Sequence, residues 1–307
     1  MERVLTCTVW VTLAALSSGC GGGSGVHTVK VQPVALRPVA KESAREELLD
    51  KFNAIAQSQK TINATVDLKT TAGSEYSGVI DEYHEVKAFL LAARPAQIRI
   101  VGQVPVIGKT IFDMASDGET FRVSIPSRNK FLVGAVNVDR VSDKPIENLR
   151  PQHLVEALLW QEIRKEEVVL FEEFNDEKAR YYVLTVLRGG YRSEILRKIW
   201  FDRSDLTVAR IEYFGPKGLL LSDVSYADWQ PVTASPVSAS FVSAGGDATA
   251  SYPRTIRLQR PHDDYRLDMV VTKISLNEEI SADRFTLEQP TGAELVRVGA
   301  TSDEKHP

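Results

Sequence analysis

From Thr61 onward, apolar and polar residues alternate with a period of two, and nothing else in the chain constrains its fold as strongly. In "TINATVDLKT", Ala64, Val66 and Leu68 alternate with Asn63, Thr65, Asp67 and Lys69. The same period recurs in "QIRIV", with Ile98 and Ile100 set against Gln97 and Arg99. It recurs again in "TFRVSIP", with Phe121, Val123 and Ile125 set against Thr120, Arg122 and Ser124. Successive side chains on a strand point to opposite faces. The pattern therefore predicts antiparallel sheet with one apolar and one polar face. Asp117-Gly118 and Pro216-Lys217-Gly218 supply the expected turn residues.

Two stretches carry a helical period instead. Ser43-Ala-Arg-Glu46 reads as a capping box, and Leu48, Leu49, Phe52, Ile55 and Ala56 follow it as one apolar stripe. "PQHLVEALLWQEI" (Pro151 to Ile163) predicts a second helix. Pro151 suits its first position, and Leu154, Val155, Leu158, Leu159 and Ile163 form its buried stripe. Strands are expected near 168–174, 180–187, 194–202, 207–214, 219–226, 255–260 and 266–276. The Ala-, Ser- and Gly-rich stretch 231–251 reads as a long loop.

The expected order is a helix, about five strands, a helix, then six or seven strands. The fold class is mainly β (α+β): a curled antiparallel sheet forming an incomplete barrel, with helices covering the concave face. If two helices do not fill the concavity, an apolar cavity remains. If they do, the same fold has a packed core. Candidate lining residues are Val66, Leu68, Ile98, Ile100, Phe121, Val123, Leu154, Leu158, Ile256 and Leu258. Alternation does not decide which of them face a cavity and which a filled core.

The N-terminus has a separate logic. Val4 to Leu16 is an apolar run of 13 residues, the length of a signal-peptide core and too short to span a bilayer. Ser17, Ser18 and Gly19 lead to Cys20, similar to a bacterial lipobox in which the cysteine is acylated. Here Ser17 stands where that motif has leucine, and Leu16 is displaced by one. The other reading is an ordinary secretory peptide with an incidental cysteine. Residues 1–19 are thus expected to be a signal peptide. Residues 20–40, rich in Gly, Ser, Val and Pro, are expected to be a lipidated N-terminus and spacer reaching at most about 60–70 Å. The folded domain is assigned to 41–298 and a disordered tail to 299–307.

Composition excludes several classes. The net charge of −4 and the lack of a basic stripe argue against nucleic-acid binding. Both cysteines, Cys7 and Cys20, fall in the leader, leaving no cysteine in the folded region for a disulfide or metal. The histidines (His27, His84, His153, His262, His306) show no ligand spacing, so neither metal nor cofactor is expected. Ser127-Arg-Asn-Lys130 spells S-x-x-K without its partner motifs, in what reads as a turn. The acidic pairs Glu172-Glu173, Asp176-Glu177, Asp263-Asp264 and Glu278-Glu279 read as solvated strand ends. No catalytic residue is assigned. A hydrolase would need a buried carboxylate or serine beside a cleft.

Several diffuse segments together resemble the LolA/LolB superfamily of lipoprotein carriers and receptors. They are "PAQIRI", "IFDMASDGETFRVSIPSRNKFLVG", "RKIWFDRSDLTVARIEYFGPKG", "YPRTIRLQRP" and "ISLNEEISADRFTLEQP", spanning roughly Glu42 to Pro290. The resemblance implies a half-barrel over an apolar cavity that holds acyl chains. It also implies a place in the bacterial envelope, as an outer-membrane lipoprotein facing the periplasm. Lipid or an acylated lipoprotein would be the partner, the membrane being reached through the N-terminal anchor, with the domain a monomer. It further directs attention to "VPVIG" (Val104 to Gly108), an apolar turn with Val104, Val106 and Ile107 as membrane or partner contacts. The other reading folds that turn back onto the core. An interaction or stress-sensing module with a filled core is the alternative function.

Overall fold

A computed structural model of the chain describes residues 38–74, 79–137, 149–176, 179–232 and 250–298. Helix α1 (Arg45–Ser58) precedes seven strands: β1 (Thr61–Ser74), β2 (Val79–Glu82), β3 (Val86–Ala93), β4 (Gln97–Gln103), β5 (Thr110–Ser116), β6 (Thr120–Ile125) and β7 (Lys130–Ala135). Helix α2 (Pro151–Leu158) leads into β8 (Val168–Asn175), β9 (Arg180–Arg188), β10 (Glu194–Asp202) and β11 (Val208–Phe214). The chain continues through β12 (Leu220–Val232), β13 (Ala250–Arg260), β14 (Tyr265–Leu276) and β15 (Glu294–Val298).

All the strands belong to one sheet in the order β15-β7-β6-β5-β4-β3-β1-β14-β13-β12-β11-β10-β9-β8, with β2 added beside the far end of β1. Strands β8 and β15 are its two edges, so the barrel is incomplete. Every pairing is antiparallel except β15 with β7. Register shifts interrupt the ladders at Thr65/Val66, Gly102/Gln103, Ile195/Arg197 and Trp200/Phe201. Such bulges bend a strand and increase its twist, which curls a long sheet. On the polar face, bidentate pairs such as Arg99–Asp113 and Arg210–Asp223 tie neighbouring strands together.

The first helix is capped one residue later than its sequence suggests. Glu47, not Glu46, accepts from the Ala44 backbone N–H (3.1 Å) and from the Ser43 hydroxyl (2.9 Å). Leu48, Phe52 and Ala56 are its buried stripe. The second helix ends at Leu158, five residues short of the expected Ile163, although Leu159, Trp160 and Ile163 stay buried.

The early stop has a tertiary cause. The last carbonyls of a helix lack intrahelical donors, and here the sheet supplies them. Tyr213 of β11 donates to the Glu156 carbonyl at 3.1 Å, and Tyr226 of β12 to that of Ala157 at 2.9 Å. Tyr252 of β13 makes a longer 3.5 Å contact with the Leu158 carbonyl. The chain then turns so that Trp160 stacks on Phe52 of α1 with centroids 5.4 Å apart. The Trp160 indole N–H donates to the Tyr226 hydroxyl at 2.9 Å. Below α1, Asn53 exchanges two hydrogen bonds with the Ile163 backbone.

Arg94 completes this seam. Its guanidinium donates to the carbonyls of Gln59 (2.7 Å), Ala56 (2.6 Å) and Trp160 (2.5 Å), joining the ends of both helices to the β3–β4 corner. One apolar cluster therefore runs from β1 through β14 and β13 to β9, under both helices.

Tyr226 sits at the centre of this arrangement, as acceptor for Trp160 and donor to Ala157. Tyr226→Phe is expected to lower the free energy of unfolding by about 1–3 kcal/mol, since it strands a buried indole N–H and a helix carbonyl. Urea denaturation measures this; an unchanged midpoint would count against the role given to the hydroxyl.

Candidate functional site

The concave face is the first place to look, and the structure packs it. Of the ten candidate lining residues, Val66, Leu68, Ile98, Ile100, Phe121, Leu154, Leu158, Ile256 and Leu258 are buried. Val123 is partly buried against the same cluster. Phe121 stands somewhat apart, with the Arg150 guanidinium 4.9 Å from its ring centroid. Apart from Phe121, these side chains belong to or pack against one buried cluster with residues of the two helices, so this part of the concave side is packed.

A cavity of about 560 Å³ lies elsewhere. It opens between the segment following α2 and the ends of β9, β10 and β11. Glu156, Arg164, Glu166, Glu167, Arg188 and Arg197 give it a charged lining, with Leu196, Tyr213 and Phe214 as its larger apolar surfaces. Buried Arg197 pairs with Glu167 at 3.1 Å and donates to the Glu162 carbonyl at 2.9 Å. Burial raises the Glu156 carboxyl above its ordinary range, against a smaller opposing pull from Arg260. The cleft thus contains the carboxyl that a hydrolase would require, but its lining holds no serine, histidine or cysteine to act as nucleophile or relay. So charged a lining is a poor host for an acyl chain.

The S-x-x-K residues fall on an exposed 3-10 turn, Pro126–Arg128, and the first residue of β7. Each acidic pair has at least one residue held by a partner, Asp176 accepting from the Ala179 N–H, while Glu177 lies outside the described residues. Glu172 accepts from Thr185, Glu173 pairs with Arg203, Asp263 with Arg260, and Glu278 accepts from Asn63. No cluster of metal-binding side chains occurs among the described residues, and no helix there is long and apolar enough to cross a membrane. Cys20 and the leader, the spacer to residue 37 and the tail from 299 lie outside the described residues.

One candidate is geometrically distinctive. The "VPVIG" turn joins β4 to β5, and its tip stands away from the core: Val106 is fully exposed and Ile107 is 77% exposed. Val104 at its base is half-buried. The loop closes through Val104 N–H to the Lys109 carbonyl (2.9 Å) and Gly108 N–H to the Val104 carbonyl (3.0 Å). Inside it, Ile107 N–H reaches the Pro105 carbonyl at 2.8 Å, a three-residue γ-turn that sets Val106 at φ +70°. That conformation is strained for a β-branched residue. The two apolar side chains are thus held outward at a cost in backbone energy.

No protein-family profile and no curated protein sequence matches the chain. Solved structures do resemble it. A LolA superfamily protein from Nitrosomonas europaea is 13% identical, covering 80% of this chain and 99% of its own, with a TM-score of 0.45. A DUF1329 family protein from Desulfovibrio piger is 13% identical over 78% of this chain and 95% of its own, with a TM-score of 0.47. A Vibrio parahaemolyticus domain described as an outer membrane lipoprotein-sorting protein is 10% identical over 78% of this chain and 94% of its own, at a TM-score of 0.43.

The first turn of α2 carries a buried imidazole, His153. His153 contacts the Tyr265 hydroxyl and lies near Arg260 and Arg150. Burial, reinforced by those two guanidiniums, holds its imidazole well below its ordinary range. A group depressed on folding contributes stability above its unfolded value, about 6.5, that is lost as pH falls toward the folded value. Glu156 acts in the opposite sense, so the His153 share is isolated by comparing the protein with His153→Gln. Between pH 7 and pH 5.5 the unsubstituted chain is expected to lose more stability, by up to about 1.4 kcal/mol per pH unit. Parallel stability-pH curves would refute the assignment.

Proposed function

We propose that this chain is a lipid-tethered protein of the bacterial envelope that works non-covalently at a membrane surface, receiving or passing on lipid or acylated lipoprotein. The observation that carries this reading is the strained, outward Val106-Ile107 tip. Apolar side chains held in water on a turn gain free energy when they enter a bilayer or an apolar partner, about 1.5–3 kcal/mol for each one fully buried. Cys20, acylated after removal of residues 1–19, would supply the tether, and residues 20–40 the reach. The chemistry is binding rather than catalysis, and no cofactor enters it.

Acyl-chain uptake on the concave face would gain roughly 0.8 kcal/mol per methylene buried. Because that face is packed, uptake requires α1 and α2 to part from the sheet, breaking the Arg94 bonds that join them to the β3–β4 corner. The packed core also favours a second reading, an envelope interaction module that never opens. Lipid occupancy separates the two. Native mass spectrometry of the full chain extracted from membranes is expected to find lipid bound beyond the anchor, and more of it in Arg94→Leu. Absence of bound lipid from both would leave the interaction module.

Two variants test location and tip. Cys20→Ser is expected to release the chain from the membrane fraction. In that released chain, Val106→Asp with Ile107→Asp should weaken vesicle binding by about tenfold or more, with the melting temperature unchanged. Unaltered vesicle binding by the double variant would remove the tip from the mechanism.

A further inference from the structure

The alternation of strand direction places five hairpin turns at one end of the sheet: 104–109, 126–129, 189–193, 215–219 and 261–264. Three of these carry an exposed large apolar residue with a cation beside it. The β4–β5 turn has Val106 and Ile107 with Lys109. The β9–β10 turn has fully exposed Tyr191 with Arg192, and the β11–β12 turn has Leu219, 44% exposed, with Lys217. The β6–β7 turn adds Arg128, with Lys130 next to it. Asn129 and Lys217 share the positive φ of Val106, at 50° and 60°.

Turns at the opposite end differ in kind. Those at 94–96, 117–119 and 203–207 carry no exposed large apolar residue. Asp117, Glu119 and Asp205 lie on them, with Asp176 beside the β8–β9 connection at the same end. The cations of the first end are also uncommitted. Lys109, Arg128, Lys130, Arg192 and Lys217 form no side-chain ion pair or hydrogen bond among the described residues. Acidic residues also lie at this end: Asp81 and Glu82 of β2 (Glu82 paired with Lys69), Glu85 before β3, Glu166 before β8, Glu194 paired with Arg188, Asp263 paired with Arg260, Asp264, and Glu294 in register with Lys130.

We infer that this end of the half-barrel docks on an anionic lipid bilayer, with Ile107, Tyr191 and Leu219 entering the interface and the neighbouring cations meeting lipid phosphates. Charge complementarity selects that occupant. An apolar protein groove would accommodate the three apolar side chains but leave five uncommitted cations unmatched, whereas an anionic leaflet takes both. Tyrosine, half apolar and half polar, suits the headgroup level. The inference rests on the membrane-facing reading of the tip and extends it to a multi-point surface selective for negative lipid.

Both native cysteines lie in the leader. In the full chain carrying Cys7→Ser and Cys20→Ser, single labels can therefore be placed through Ile107→Cys, Tyr191→Cys, Leu219→Cys or Glu119→Cys. With an environment-sensitive fluorophore and phosphatidylglycerol vesicles, the first three labels are expected to shift to the blue while the label at 119 stays water-like. Reversing Lys109, Arg192 and Lys217 to Glu should weaken vesicle binding by about fivefold or more per site. Phosphatidylcholine vesicles should bind weakly. If only the label at 107 responds, the multi-point surface is overturned and the tip-docking reading stands. If none responds, both fall. Equal binding to the two lipids, or an unchanged affinity in the charge-reversed chain, overturns anion selectivity. Blue shifts at 191 and 219 produced only by a protein partner would overturn the lipid assignment.

Discussion

Hydrogen bonds from side chains on the sheet to the carbonyls at the end of α2 hold this fold together. An eight-residue helix is marginal by itself, because its free carbonyls are a large share of its backbone. Tyr213 and Tyr226 satisfy two of them from neighbouring strands, Tyr252 approaches a third, and Arg94 gathers the following Trp160 carbonyl together with two from the end of α1. The helices are thereby positioned by polar contacts at defined points as well as by area. Phe52, Trp160 and Tyr226 fill the space those contacts define.

That arrangement bears on what the domain can bind. A curled sheet with one apolar face needs a cover, and here the cover is bonded at several sites and backed by aromatic packing. The charged cleft beside β9–β11 is unsuited to hydrocarbon. Apolar side chains exposed without rearrangement lie outside the core, on turns and on strand surfaces such as Val168, Leu170 and Phe174 of edge strand β8. Val106 and Ile107 are the clearest case, and Tyr191 and Leu219 share the same end of the sheet.

Much of the interior was legible beforehand because strand alternation assigns faces without knowledge of partners. Val66, Leu68, Ile98, Ile100, Ile256 and Leu258 lie buried on one face as their period requires. The boundary of α2 was not legible. Leu159 and Ile163 continue the helical spacing, and only the tyrosines of distant strands make a turn at Leu159 favourable. The capping residue shifted from Glu46 to Glu47 because helix entry at Ala44, rather than Ser43, brings the next glutamate within reach of the free amide. Strand β15 carried too short a pattern to announce itself, and its parallel place beside β7 depends on where the preceding loop delivers the chain.

The sequence by itself determined the class of fold, the polarity of each sheet face and the apolar content of the "VPVIG" turn, since those follow from residue type and local period. Only the tertiary structure decided whether the concave face would be hollow or filled. The volumes that fill it come from Phe52, Trp160 and Tyr226, residues brought together across more than a hundred positions of chain. It also decided that Val106 and Ile107 point away from the core, because a γ-turn with a left-handed valine is a three-dimensional compromise between β4 and β5 that no periodicity encodes.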